Sequence, residues 1–324
     1  MFITACGMSS QAQVDPHFSQ YYVFPSWVNP ALAGSFDGDY RVAAIYRGQW
    51  DKIAGGFKTI GAAADAVTNK HINIGLSLFQ QTTGTGYTYQ NGYVSVAYNG
   101  VRFGSGLTKV LSFGIQAGAV NRRFDASKFQ TGDQWNTVTG YTPSTVSGDI
   151  LANKASMAFD ACAGVLYYDM SPTKKVNPYL GFSASHLTQP EGQFISTSAD
   201  TKLPMRLTVH GGMAINVSEG LLINPNFLYL RQGNAEEKAI GAYAQLSPND
   251  QVNLLGGINY RFDDAVVPFV GIDYKNLLIG VSYDVNNSEL GRSITTANTY
   301  EVSLTYIFRK AKVLGQRNIS CPRL

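Results

Sequence analysis

The feature that most constrains this chain is an alternation of period two that recurs from about residue 40 to residue 308. In LTVHGGMAINV, residues 207–217, Leu207, Val209, Met213, Ile215 and Val217 fall on one face, and Thr208, His210, Gly212, Ala214 and Asn216 on the other. Successive side chains of a strand point to opposite faces, so the pattern describes strands that are apolar on one side and small and polar on the other. VNLLGGINYRF (252–262) and LLIGVSYDV (277–285) repeat it. Fourteen such segments can be marked, near 40–50, 56–66, 72–82, 88–98, 109–122, 154–168, 178–188, 205–216, 221–231, 236–247, 252–262, 266–275, 277–286 and 298–308. Most have the length, about 9 to 11 residues, of a tilted membrane-crossing strand, and no run reaches the roughly 18 to 20 apolar residues of a spanning helix. A soluble sandwich or propeller would bury its apolar face and show a charged one. Here only 15% of residues are charged, and the second face is Gly, Ser, Asn and Ala with scattered single charges. The pattern predicts an all-β fold, a transmembrane antiparallel up-and-down β-barrel of 14 strands.

The connections agree with this reading. Bacterial barrels keep short turns on the periplasmic side and long loops outside. The longest gaps, 123–153, 189–204 and 287–297, are the fifth, seventh and thirteenth connections, all odd. Even connections such as NKHIN (69–73), SPTKKV (171–176), SEG (218–220) and SPND (247–250) are compact and rich in turn residues. An even strand count then places the N- and C-termini together in the periplasm of a bacterium whose outer membrane holds the barrel. Tyr40, Tyr46, Tyr98, Tyr168, Tyr260, Tyr274, Tyr283 and Tyr306, at strand ends, are expected in the interfacial girdles. Arg47, Asp65, Asp160, Arg261, Asp273, Asp284 and Glu301 are expected to point inward, either bracing the wall through ion pairs or lining a pore.

Outside the strands, residues 1–12 (MFITACGMSSQA) resemble a signal peptide lacking its basic region, with Ser10 and Ala12 at the minus-three and minus-one positions before Gln13. ITAC, ending at Cys6, also reads as a lipobox. Residues 13–38 form a stretch dense in aromatics, in which Pro16, Pro25 and Pro30 prevent extension as a strand or long helix. Phe18, Tyr21, Tyr22, Phe24 and Trp27 need a surface to cover them, so the stretch is expected to pack at the periplasmic mouth or in the lumen of the barrel, 39–308. Residues 309–324, a periplasmic tail, carry Arg309, Lys310, Lys312, Arg317 and Arg323, a candidate strip for partner docking.

Signatures of chemistry are absent. A net charge of +3 without a basic, aromatic-interleaved stripe argues against nucleic acid. His17, His71, His186 and His210 lie on four separate elements, none with a Cys, Asp or Glu at metal-ligand spacing, and Cys6, Cys162 and Cys321 give neither a zinc spacing nor a disulfide framework. GFSAS at 181 and GVSYD at 280 miss the last glycine of a nucleophile elbow, and GTGYTY at 84 sits in a strand connection. A hydrolase would have to assemble His210 with Ser77 or Ser282 by tertiary contact. No catalytic, cofactor or metal residues are assigned.

Three ordered blocks do stand out: Asp15, Pro16, Phe18, Ser19 and Gln20; Asn29, Pro30, Ala31 and Gly34; and Tyr46, Arg47, Gln49 and Trp50. Together they closely resemble the start of the PorP/SprF family of Bacteroidetes outer-membrane proteins, and the likeness continues more loosely through IGVSYDVNNSEL and YEVSLTYIF. The resemblance implies a barrel of the type IX secretion system, which exports surface adhesins and supports gliding. Implied partners are outer-membrane lipid, an exported adhesin held by its C-terminal domain, the periplasmic ring lipoprotein complex and a peptidoglycan-binding protein. The alternative is an outer-membrane channel for small or hydrophobic solutes.

Overall fold

A computed structural model describes residues 15–50, 56–68, 71–125, 128, 132–136, 138–142, 144–145, 155–191, 202–249, 251–287 and 299–309. The signal-like residues 1–12 and the basic positions Lys310, Lys312, Arg317 and Arg323 lie outside them.

Fourteen strands close into one antiparallel barrel. They are β1 (Tyr40–Gln49), β2 (Phe57–Val67), β3 (Ile72–Thr83), β4 (Tyr87–Phe103), β5 (Lys109–Phe124), β8 (Ala155–Asp169), β9 (Val176–Ser185), β10 (Arg206–Ser218), β11 (Leu221–Gln232), β12 (Ala235–Asn249), β13 (Val252–Arg261), β14 (Ala265–Tyr274), β15 (Leu277–Asn286) and β16 (Thr299–Phe308). β6 (Trp135–Asn136) and β7 (Gly140–Tyr141) form a small hairpin between β5 and β8. Each barrel strand pairs with its neighbours in order, and β1 closes on β16. Closure removes every sheet edge, which is what lets a sheet cross a bilayer without unpaired backbone groups.

The tight turns carry their own chemistry. Lys275 and Asn276 link β14 to β15 with φ of 49° and 72°, the left-handed pair of a two-residue hairpin whose twist matches its strands. The end of the barrel that holds Tyr40, Phe308 and such short turns is called the near end. The strand ends joined by the three longest connections, those of β5 and β8, β9 and β10, and β15 and β16, are all at the far end.

Burial inverts that of a soluble protein. Outward positions are apolar and exposed, as at Ile115, Val270 and Leu78, whereas inward positions are polar and buried, as at Ser95, Thr208, Asn224 and Glu301. All seven charges expected to face inward are buried. Most are visibly paired: Asp65 with Arg41 at 2.6 Å, and Asp273 with Asn253 at 2.9 Å directly across β13 and β14. Five of the tyrosines expected in girdles are exposed, Tyr40, Tyr98, Tyr274, Tyr283 and Tyr306. Tyr168 is the exception. It is buried, because in β8 it shares the inward face with Leu166 and Cys162. β4 also runs five residues past the expected end at 98, through a bulge between Tyr98 and Val101.

Because Val270 faces out at the middle of β14 with 64% of its surface exposed, replacing it with arginine should cost about 2–4 kcal/mol in a bilayer. The same change at Phe308, on the rim, should cost no more than about 1 kcal/mol. Urea unfolding of the barrel in lipid vesicles measures both.

Candidate functional site

Residues 15–39 neither form a strand nor lie on the surface. Pro16 to Phe36 are buried, apart from a partly exposed Tyr22, and they contact inward side chains around the whole barrel. The segment starts at the far end, where the Asp15 amide donates to Gln232 Oε1 at the last residue of β11. It finishes at the near end, where Asp37 pairs with Arg309 at 3.2 Å just beyond β16. Sequence reasoning expects both chain ends on one side; the ends themselves lie outside the described residues. Within these, Arg309 and Asp37 meet at the near end and Asp15 lies at the far end, because a proline-broken apolar stretch finds its cover inside the wall.

Three sets of contacts hold the segment. At Asp15, Oδ2 lies 2.6 Å from His186 Nε2 and 3.1 Å from the Arg206 guanidinium. The other ring nitrogen, His186 Nδ1, is 2.6 Å from Asp160 Oδ2, which also accepts the Tyr93 hydroxyl. With a carboxylate oxygen on each side, both ring nitrogens must carry protons, so His186 is an imidazolium. Burial alone would discharge it, but the Asp15 charge and the hydrogen bonds to Asp15 and Asp160 push its pKa up to about 9. Asp15 is pulled down to about 2 against its own burial, by His186, Arg206 and Gln232. Arg206 also stacks 4.5 Å over the Trp27 ring and donates to Trp27 O at 2.6 Å.

The second set recognises Ser19 and Gln20. Their amides donate to the two oxygens of Glu301, at 2.6 Å and 2.8 Å. The Ser19 hydroxyl donates to Asp284 Oδ1 at 2.9 Å and accepts from Arg47 and Arg261. Those guanidiniums in turn bind Asp284 Oδ2, at 3.0 Å and 2.7 Å, and Arg47 reaches Glu301 at 2.6 Å. The Gln20 side chain donates to Ser282 at 3.0 Å and accepts from Ser303 at 2.7 Å. Arg261 also pairs with Asp264 at 2.8 Å, so both buried guanidiniums around this serine meet carboxylates, which offsets the cost of burying them. His17 Nε2 lies 3.2 Å from Arg47. Burial and the charges of Arg47 and Arg261 hold its pKa well below 6.5, so it stays neutral and accepts that bond.

The third set is at the short helix α1 (Pro25–Val28) and the 3₁₀ turn Pro30–Leu32. Asn29 caps the turn, its Oδ1 accepting from the Ala31 amide at 2.9 Å, while its Nδ2 reaches Val165 O at 3.0 Å and lies 3.2 Å from His210 Nε2. Gly34 turns the chain with φ of 72° beside Asn73. The wall is thinned to receive this stretch: a methyl group on Gly114 would overlap the backbone of Pro30 and Ala31. Phe18 packs edge-on against Phe24, Trp27 and Phe79.

The first two sequence blocks therefore sit wholly on this segment, and Arg47 of the third joins the first of them. Gln49 Oε1 accepts from Arg47 at 3.4 Å. Tyr46 stands away from the cluster, packed on Tyr300, and Trp50 packs on Phe57. His210, Ser77 and Ser282 are not brought together: they bind Asn29, Gln116 and Gln20 respectively. Sequence reading missed His186 and Arg206 as partners of Asp15, since neither lies on the alternation with a distinguishing neighbour. Three crevices between the segment and the wall measure about 10–20 Å³, room for roughly one water each. At the near mouth a polar cleft of about 520 Å³ is lined by Asp37, Asp169, Lys174, Lys175, Asn216 and Gln245 among others.

A sequence profile described as type IX secretion system membrane protein PorP/SprF matches residues 10–306. A search of curated protein sequences gives no match. Among solved structures, the fold is similar to the toluene transporter TbuX of Ralstonia pickettii, with a TM-score of 0.55 and 12% identity over 89% of this chain and 94% of that one. It is also similar to the toluene transporter TodX of P. putida (0.50, 10%, 87% and 93%) and the monoaromatic hydrocarbon channel CymD (0.50, 10%, 89% and 93%). At such identities the likeness concerns the fold alone.

Two expectations follow from these contacts. His186 stabilises the docked segment fully below pH 6.5 and loses that contribution as pH rises through about 9. Asp15 contributes above pH 3.8 and loses it as pH falls through about 2, while neutral His17 is penalised as pH falls below 6.5. The urea midpoint of the wild type in micelles should fall between pH 6.5 and 9, and His186→Gln should flatten that limb, shrink the Asp15 part of the acid limb because Asp15 loses its main counter-charge, and leave the His17 part in place. Separately, Gly114→Ala should destabilise by about 1–3 kcal/mol through overpacking against Ala31, measured by the same unfolding.

Proposed function

Because the chain belongs to the PorP/SprF family of type IX secretion system membrane proteins, we propose that it is a non-enzymatic outer-membrane component that holds an exported surface adhesin and contacts periplasmic secretion machinery. The observation that carries this reading is the filled lumen. A segment held by hydrogen bonds, ion pairs and an aromatic cluster occupies the interior from far end to near end, which leaves the two mouths as working surfaces. In this reading the near end faces the periplasm. Its polar cleft, with the exposed Lys174 and Lys175 and the tail that starts at Arg309, meets the ring lipoprotein complex or its peptidoglycan-binding partner. The far end, with the long connections, meets the C-terminal domain of the adhesin.

A second reading, a channel for small or hydrophobic solutes, draws support from the hydrocarbon transporters that share the fold. It requires the segment to leave the lumen or to open a path beside it. The two readings separate in one experiment. A tagged copy purified from native outer membranes in mild detergent should bring a large surface protein or type IX components at near-stoichiometric amounts, and should conduct poorly in planar bilayers. A protein that arrives alone and conducts ions would favour the channel.

A further inference from the structure

The seam between β1 and β16 joins the first and last strands of the barrel, and Arg47 and Glu301, directly paired across it, are 254 residues apart. Closing a contact of that separation is entropically the costliest step in forming the sheet. The lumenal segment also restricts the order of events. It runs from Asp15 at the far end to Asp37 at the near end and then enters β1, so insertion after closure would require threading the chain through a finished barrel. An order in which the wall closes around an already seated segment avoids that passage.

What the segment offers at that moment is specific for the last strand. The amides of Ser19 and Gln20 are aimed together at the Glu301 carboxylate, and the Gln20 side chain bridges Ser282 of β15 and Ser303 of β16. Arg47, on β1, supplies a guanidinium to the same carboxylate. A carboxylate accepting two backbone N–H groups and a guanidinium is among the stronger recognition units available to a buried site. The residues that make it are linked to β1 by a short stretch of chain, whereas Glu301 and Ser303 arrive last in sequence. We propose that Ser19–Gln20 is an intramolecular binding site for the carboxylate-bearing stretch Thr299–Ser303, and that it recruits β16 to β1 when the barrel closes. The plug is then an assembly template as well as a filling.

The test is refolding of the full-length chain from urea into micelles, with closure read as the shift in gel migration of unheated samples. Gln20→Ala and Glu301→Gln leave the β1–β16 backbone ladder intact and should slow closure about tenfold or more. His186→Gln, which loosens the segment against β8, β9 and β10 away from the seam, should chiefly speed unfolding. Unchanged closure rates in both seam variants would overturn the proposal. Where a seam variant yields no folded barrel, the cysteine pair Ala44→Cys and Leu304→Cys, opposite one another on the lipid face, is added in a background without native cysteines. Disulfide trapping during refolding then distinguishes strands that fail to meet, as proposed, from a seam that forms at the wild-type rate and reopens, which refutes it.

Discussion

One carboxylate, that of Glu301, satisfies groups from the lumenal segment and from β1 at once. It accepts the amides of Ser19 and Gln20, and it pairs with Arg47 across the seam. A proline-broken segment in a barrel interior has no ladder to satisfy its N–H groups, and each one left unpaired costs about 1–3 kcal/mol. The segment's own turns satisfy amides such as those of Val23, Trp27, Asn29 and Leu32, and for Asp15, Ser19 and Gln20 the wall supplies the acceptors, in part with inward charges that would themselves be costly without the segment. Each side makes the burial of the other tolerable.

This mutual dependence explains why a barrel of fourteen strands has so polar an inner face and yet a filled interior. Water would be the ordinary solvent for such a face, as in a porin. Here Ser112 and Ser183 donate to Ala31 O and Val28 O, at 3.0 Å and 2.6 Å, so polypeptide stands where water would be. The apolar side chains of the segment, led by Phe18, Phe24 and Trp27, bury against one another and against inward apolar residues of the wall such as Ile45, Phe79, Leu166 and Leu228. The interior thus combines a hydrophobic core with a polar shell, the reverse of the arrangement across the wall to the lipid.

The likeness to the hydrocarbon transporters concerns the wall of the barrel alone. A closed sheet of this size can enclose a path or a plug, and the choice lies in what occupies the lumen rather than in the strand count. In this chain the occupant is tied down at both ends, by the His186 imidazolium at the far end and by Asp37 with Arg309 at the near end.

Much of this was legible in the sequence, because period-two alternation with a small polar second face admits few architectures. Strand number, closure, the placement of the long connections at one end and the inward direction of Arg47, Asp160, Asp284 and Glu301 all follow from local periodicity, which depends on backbone geometry alone. The prolines likewise showed that residues 15–34 form no strand. What only the tertiary structure decided was pairing: that Asp15 meets His186 and Arg206, that Glu301 meets Ser19, and that the segment crosses the barrel from end to end. Alternation says which face a side chain takes but not which of thirteen other strands lies opposite. In a closed sheet that is settled by the path of the chain through the interior, where contacts more than 200 residues apart in sequence become neighbours.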